Sequence, residues 1–276
     1  MKKMAFALAV IMLMTTLIAC NKTPPDENPD TEPPVQDNAN PASDFEYEEN
    51  GDGGITIKKY MGTSADVTIP AQIDDKNVTI IGEQAFVEND IIVTVKIPDT
   101  VIDIELGAFS TCTKLTTVVL SQNTEYIGNG AFMNCIMLAS IDLPSTLYKI
   151  ESMAFWNCQS LKRITLPQKL YSIGENVFSE SGLEVIEFEE NGRLEQIPNG
   201  TFAYTKIEEI VIPKHIKYIR DSAFAGCDSL KAVKFEGDAP DDFLHTPQRA
   251  EFTVYYHEGA QGFTSPEWCG YPTKIW

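Results

Sequence analysis

One phenylalanine recurs along this chain at a nearly constant spacing. The recurrence comprises Phe86, Phe109, Phe132, Phe155, Phe178, Phe202 and Phe224, at intervals of 23, 23, 23, 23, 24 and 22 residues. An isoleucine stands five positions before every one of them, and alanine directly precedes five of the seven. A fixed period of about 20 to 50 residues is typical of a solenoid, in which each repeat forms one coil. The sequence therefore predicts a stack of about seven coils of about 23 residues each.

An apolar triplet with the spacing L-x-x-I-x-L follows each phenylalanine, as in Leu138, Ile141 and Leu143. Because side chains alternate along a strand, Ile141 and Leu143 are predicted to face inward and Asp142 outward. Proline follows several of these triplets, as at Pro144, and it ends the strand because it has no N–H to donate. Each coil is therefore predicted to add one short strand to a parallel β-sheet.

The combined pattern of L-x-x-I-x-L-P, I-G, A-F and a following cysteine resembles the BspA-like leucine-rich repeats of bacterial surface proteins. The resemblance implies a β-rich leucine-rich-repeat solenoid over residues 44–276, with a cap at 44–80, repeats at 81–235 and a second cap at 236–276. Known members of that family are implicated in adhesion to host proteins or other cells. The resemblance therefore implies a surface that binds a partner.

Residues 1–19 have the organisation of a signal peptide. Lys2 and Lys3 precede an apolar run, Ala5 to Ala19, which is shorter than the roughly 20 residues that a membrane-spanning helix needs. Cys20 directly follows Leu-Ile-Ala, and this order resembles the lipobox of bacterial lipoproteins. The resemblance implies a diacylglycerol on Cys20 after cleavage; an uncleaved membrane anchor is the alternative.

Residues 20–43 are predicted to be a tether between this lipid and the folded domain. The segment is rich in proline and acidic residues, which extend a chain and give it no apolar core. Asn21 stands where aspartate would favour retention at the inner membrane in some bacteria. The predicted location is therefore the cell surface, with the lipid anchor in the outer membrane of a double-membraned cell.

The charge balance and the motif content argue against two classes of function. The formal net charge is −19, from 21 basic and 40 acidic residues, and without a basic run this excludes a nucleic-acid partner. The phosphate-loop, zinc-protease, C-x-x-C and G-x-S-x-G motifs are all absent. The three histidines, His215, His245 and His257, fall in a repeat turn, a loop and a cap. We therefore expect neither catalysis nor a cofactor.

Four cysteines each stand three residues after a repeat phenylalanine: Cys112, Cys135, Cys158 and Cys227. Ser181 and Thr205 take this position in two other coils, which indicates a small buried filler. Sulfurs in a single row cannot surround a tetrahedral zinc ion, so no metal site is predicted. A disulfide between neighbouring coils remains the alternative. The segment from Asn50 to Gly54 lacks the ligand series of a calcium loop and is predicted to be a tight turn.

The outward positions of the predicted strands carry charged bands that alternate in sign. The residues are Lys162, Arg163, Glu184, Glu187, Glu208, Glu209, Lys231 and Lys234. They are either solvated charges that cancel between coils or a recognition face for a charged protein partner. A second candidate is the pair Tyr148 and Tyr171 at equivalent positions of adjacent coils, because aligned aromatic rings can stack on sugars or anchor an interface. Packing at the edge of the core is the alternative for this pair.

Two functions follow from these surfaces. The first is a non-catalytic surface protein that binds or adheres to a host or microbial surface protein. The alternative is an accessory lipoprotein that captures a glycan through the tyrosines.

Overall fold

Nearly all regular structure in the described part of the chain is short β-strand. The computed structural model describes residues 38–243 and 251–276; the predicted signal peptide, Cys20, most of the tether and His245 lie outside the described residues. Within those ranges, the helical structure consists of the three-residue 3-10 helix Ala42–Asp44. The predicted parallel β-solenoid is confirmed.

The N-terminal cap forms the first coil of the stack. Its strands are β1 (Phe45–Glu49), β2 (Ile55–Tyr60), β3 (Asp66–Thr68), β4 (Gln72–Ile73) and β5 (Lys76–Ile81). The hairpin of β1 and β2 closes through a turn in which Asn50 Oδ1 accepts hydrogen bonds from the N–H groups of Asp52 and Gly54. This segment is the tight turn that the sequence predicted. Asn40, assigned to the tether, donates its backbone N–H to the carbonyl oxygen of Thr68 at 2.8 Å.

Each repeat then contributes a front strand and a back strand. In chain order they are β6 (Thr94–Lys96), β7 (Asp103–Ile104), β8 (Thr117–Val119), β9 (Tyr126–Ile127), β10 (Ser140–Ile141), β11 (Lys149–Ile150), β12 (Arg163–Leu166), β13 (Ser172–Ile173), β14 (Val185–Phe188), β15 (Gln196–Ile197), β16 (Glu209–Ile212), β17 (Tyr218–Ile219), β18 (Ala232–Phe235) and β19 (Asp242–Phe243). The even-numbered strands of this series form the front sheet, whose outer surface is called the strand face below. The odd-numbered strands form the back sheet.

The C-terminal cap extends the front sheet with β20 (Thr253–Tyr256), β21 (Glu267–Trp268) and β22 (Tyr271–Ile275). The described chain makes about nine turns, so the expected count of about seven coils is too low. The caps account for the difference because they are coils themselves. Tyr60 stacks on Phe86 at 5.3 Å, and β20 pairs in parallel with β18. Neither cap contains the Ala-Phe pair that marks the repeats, so the repeat spacing does not include them.

The front strands show the alternation that the triplets predicted. In β12, Ile164 and Leu166 are buried, whereas Arg163 and Thr165 are exposed. Burying one such aliphatic side chain contributes roughly 1.5–3 kcal/mol relative to leaving it in water. Each coil adds only a few of these residues, so one coil cannot form a core unless its neighbours cover it.

The repeat phenylalanines form a continuous ladder inside the stack. All seven are buried, and neighbouring rings from Phe86 to Phe224 lie 4.7–6.0 Å apart between centroids. The ring planes of Phe109 and Phe132 differ by 1°. Offset-stacked aromatic pairs contribute about 0.5–1.5 kcal/mol beyond their buried area. The ladder therefore couples each coil to the next along the whole repeat.

Two residues in the left-handed conformation flank each of these phenylalanines. The residues two positions before it are Gln84, Gly107, Gly130, Met153, Asn176, Gly200 and Ser222, and those two positions after it are Glu88, Thr111, Asn134, Asn157, Glu180, Tyr204 and Gly226. This geometry aims backbone N–H groups along the stack. Thr111 N–H, for example, donates to the Met133 carbonyl oxygen at 2.7 Å. The turns thus form a third hydrogen-bonded side, called the turn face.

The strand ladders are interrupted at three places without breaking the stack. Back strands pair from β5 to β13 and again from β15 to β19, and the interruption coincides with the longer turn at residues 189–193. Front strands are unpaired between β10 and β12 and between β14 and β16. Phe178 and Phe202 still stack at 6.0 Å, the widest spacing among the repeat phenylalanines. The effect of the irregular turns is local.

We expect Thr111→Gly to increase the free energy of unfolding by about 1 kcal/mol, because a left-handed conformation costs an L-residue roughly 1–2 kcal/mol. Thr111 is β-branched with φ of 62°, whereas Gly226 holds the equivalent position at 66°. Urea unfolding measures the difference. The matched control is Thr113→Gly, outside the left-handed region, which should destabilise by about 0.5–1 kcal/mol through backbone entropy. A loss of stability in both variants would contradict strain at Thr111.

Candidate binding surfaces

The charged bands of the strand face come together as ion pairs between neighbouring coils. Lys162 lies 2.8 Å from Glu184, and Arg163 lies 2.6 Å from Glu187. Further along the stack, Lys231 pairs with Glu208 at 2.7 Å, and Lys234 pairs with Glu209. All eight predicted face residues therefore belong to four pairs, each joining two coils.

Three of these four ion pairs are exposed, whereas Lys234 in the fourth is half-buried. The hydrogen bond and charge of Lys162 lower the pKa of Glu184, but exposed pairs of this kind contribute only about 0.2–1 kcal/mol each. A partner could therefore exchange its own charged groups for them at small cost. The pairing also cancels charge locally.

A cleft opens on the strand face where β10 and β12 are unpaired. Its volume is about 230 Å³, and its polar lining includes Ser140, Asp142, Lys162, Arg163 and Thr165. No backbone hydrogen bond joins the two strands in the described structure, although they are neighbours in the stack. Sequence periodicity did not predict this cleft because both coils have the regular length.

The C-terminal end of the strand face carries aromatic residues that the sequence analysis did not assign to a surface. Trp276 is 41% exposed, and the Lys234 ammonium lies 5.1 Å from its ring centroid. The His257 ring also stacks on Trp276, with the ring centroids 4.9 Å apart. Their sequence positions fall outside the repeat, so the 23-residue period gave no signal for them.

Tyr148 and Tyr171 form the predicted pair on the back of the solenoid. Their rings are parallel within 3°, with centroids 5.8 Å apart, and the side chains are 36% and 55% exposed. Tyr126 differs because its hydroxyl donates to Glu151 Oε1 at 3.4 Å; burial, with the nearby Glu151 charge, raises its pKa. The Tyr218 ring is covered by Arg220 at 5.2 Å. Of these four tyrosines, Tyr148 and Tyr171 are the exposed ones.

The cysteine column lies inside the turns, where a small filler was predicted. Each buried thiol donates to the carbonyl oxygen of the phenylalanine in the preceding coil at 3.0–3.2 Å, in the pairs Cys112–Phe86, Cys135–Phe109, Cys158–Phe132 and Cys227–Phe202. Burial raises the pKa of the Cys158 thiol to about 12. Burial also raises the pKa of Cys135 and Cys227, so these three thiols stay protonated at neutral pH. The five cysteines of the described residues are free, so no disulfide joins neighbouring coils there.

The remaining candidates for chemistry do not converge. His215 is half-buried, and burial lowers its pKa; His257 lies at the aromatic end of the strand face. Within residues 38–243 and 251–276, no three histidine, cysteine or acidic side chains are grouped so as to hold a metal ion. In the same ranges, no helix is both long and apolar enough to cross a membrane.

The repeat matches a known protein family. A model described as the BspA type leucine rich repeat region matches residues 79–194 and 195–240 in six copies. The chain belongs to the BspA-type leucine-rich repeat family. The resemblance inferred from the Ala-Phe spacing is thereby confirmed. No curated protein sequence gives a significant match.

Solved structures of bacterial proteins share the architecture. A leucine rich cell surface protein from Faecalibacterium prausnitzii is 30% identical with a TM-score of 0.65, and the match covers 71% of this chain and 54% of that protein. This chain thus spans about half of that relative. The Treponema pallidum leucine rich repeat protein is 28% identical, with a TM-score of 0.53 and coverage of 71% and 85%. A Bacteroides ovatus repeat protein, 22% identical with a TM-score of 0.50 over 77% and 70%, shares the fold.

Proposed function

We propose that this protein is a non-catalytic binding protein of the bacterial cell surface whose strand face captures a protein partner. The strand face carries the proposal, because its outward side chains are exposed and the core does not require them. BspA-type family membership supports a repeat scaffold. The Faecalibacterium relative, named a cell surface protein, supports the location by analogy.

The anchor in this proposal is a lipid on Cys20, in the outer membrane. Each buried methylene contributes about 0.8 kcal/mol, so two or three acyl chains together hold a folded domain stably. Cys20→Ser is expected to move the full chain from the detergent phase to the aqueous phase in Triton X-114 partitioning. Unchanged partitioning would favour the uncleaved anchor, and fractionation of a double-membraned host distinguishes inner from outer membrane.

The strand face is tested by reversing two of its cations together. Lys162→Glu with Arg163→Glu breaks two ion pairs and groups four carboxylates on the strand face. Acidic groups of the partner would then meet like charge, which costs several kcal/mol across an interface. We expect retention of the full chain on immobilised extracellular matrix proteins or on whole cells to fall at least about tenfold. Equal retention of the reversed and wild-type chains would exclude this part of the strand face.

A charge-swapped control separates recognition from stability. Adding Glu184→Lys and Glu187→Lys to the reversed variant restores both ion pairs with their polarity exchanged. If the partner recognises which positions carry which charge, the swapped variant still binds weakly. If the ion pairs only support the fold, the swapped variant recovers binding. Failure of the wild-type chain to bind any protein or cell surface would contradict the proposed function.

Glycan capture is the second candidate, and the open parallel rings of Tyr148 and Tyr171 favour it. Stacking on an aromatic ring is lost when the ring is removed. The double variant Tyr148→Ala with Tyr171→Ala is therefore expected to lose at least about tenfold in polysaccharide affinity, measured by affinity electrophoresis. Tyr218→Ala is the matched control because Arg220 already covers that ring. Unchanged migration of the double variant would exclude this site.

A further inference from the structure

The turn face of the two middle coils is uncharged. Residues 129–137 and 152–160 contain no acidic or basic side chain, although the whole chain has a net charge of −19. The corresponding turns elsewhere are charged, and mostly acidic: Glu83, Glu88, Asp90, Glu175, Glu180, Asp221 and Asp228, against Lys114 and Lys206. An uncharged surface with acidic turns towards both ends of the stack therefore lies at the centre of the turn face.

This surface is rich in methionine and includes a tryptophan. Met137 and Met153 are 48% and 40% exposed, and Met133 and Trp156 are half-buried. Met133 and Trp156 directly follow the phenylalanine of consecutive coils, a position held by serine or alanine in four of the other five. Because the phenylalanine ladder already fills the interior, the core does not require these larger side chains. Methionine is common on surfaces that accept varied apolar partners.

A notch lies beside this methionine–tryptophan patch. Its volume is about 210 Å³, and it is lined by Asn157, Gln159, Glu180, Ser181, Gly182, Tyr204 and Lys206. The notch exists because the coil of Phe178 reaches Leu183 in five residues instead of the usual six. Gly182 permits the short turn, since a Cβ there would lie 2.0 Å from the Gln159 carbonyl oxygen. The irregular turn thus shapes a recess next to the patch.

The recess contains groups that suit a basic side chain. Tyr204 is 56% exposed, and an aromatic face attracts a cation within about 6 Å. Glu180 supplies a carboxylate and Gln159 an amide oxygen, whereas Asn157 Oδ1 already accepts a hydrogen bond from Gln159 Nε2 at 2.9 Å. Lys206 also lines the notch, and its positive charge opposes a basic side chain there. Lys206 also interacts with the strand face, where it and Lys162 both lower the pKa of Glu184.

Charge decides which occupant fits this surface. A second copy would bring its own acidic turns against Glu83, Glu88, Asp90 and the other carboxylates of the turn face, and like charges repel across an interface. A partner with an apolar centre and basic flanks avoids that repulsion and gains attraction. Amphipathic segments bind in this way to methionine-rich grooves.

We propose that this turn face binds a basic amphipathic segment of a partner protein, with apolar side chains on the methionine–tryptophan patch and a lysine or arginine in the notch. The site lies on a different surface from the strand face. The test of peptide binding therefore does not depend on whether the strand face has the proposed function.

The probe is a fluorescein-labelled, 18-residue amphipathic peptide of leucine and lysine, and fluorescence anisotropy of the full chain measures its binding. We expect this peptide to bind at least about tenfold more tightly than a lysine–serine or a glutamate–leucine counterpart. Trp156→Ala with Met153→Ala should weaken binding at least about tenfold, because truncation of central aromatic anchors has the largest effects. Glu180→Gln should weaken it about threefold.

Matched controls come from the first repeat coil, where Val87 and Glu88 occupy the positions of Trp156 and Glu180. Val87→Ala and Glu88→Gln should leave binding unchanged. Equal effects of Glu88→Gln and Glu180→Gln would show general attraction to an acidic protein and overturn the proposal. Tight binding of the glutamate–leucine peptide would also overturn the proposal. Self-association in sedimentation equilibrium that Trp156→Ala abolishes would overturn it as well. If Trp156→Ala lowers the melting temperature, Met153→Gln tests the patch without disturbing the core, because the Met153 side chain is exposed.

Discussion

The stacking of one coil on the next is the interaction on which this structure depends. A single coil of about 23 residues has too few apolar side chains to form a core. Its phenylalanine is buried only because the rings of the coils above and below cover it. The same contact aligns the strands and the left-handed turns, so backbone hydrogen bonds run along all three sides. Loss of one ring therefore affects neighbouring coils as well as its own.

Stacking also determines which residues meet at the surface. Side chains about 22 to 25 residues apart in sequence become neighbours, as Lys162 and Glu184 or Tyr148 and Tyr171 do. A column of like charge would be destabilising in such an arrangement, and on the strand face opposite charges pair instead. The bands of opposite sign therefore pair between neighbouring coils, which leaves the surface close to neutral. The binding role proposed for the strand face therefore depends on exposure and shape more than on a concentrated electrostatic field.

Departures from the repeat give the molecule its individual features. Regular coils yield a nearly uniform rod, whereas the short turn after Phe178 produces a notch and the long turn at residues 189–193 interrupts the back sheet. The same holds for side chains, since Trp156 stands where other coils carry small residues. Positions that break a repeat without serving the core are the natural places to seek specific recognition.

The sequence by itself determined the solenoid, the inward and outward sides of its strands, the buried cysteine column and the absence of a catalytic motif. The first three of these properties follow from the alternation of residues within a coil and from the period that repeats between coils, both of which the sequence displays directly. Tertiary structure alone decided that the caps are coils, that the charged bands pair, that β10 and β12 leave a cleft, and that a patch of methionine and tryptophan lies beside a notch. Those features depend on the lateral offset between successive coils and on side-chain rotamers. A sequence period gives the number of residues between neighbours but not the distance or direction that separates them.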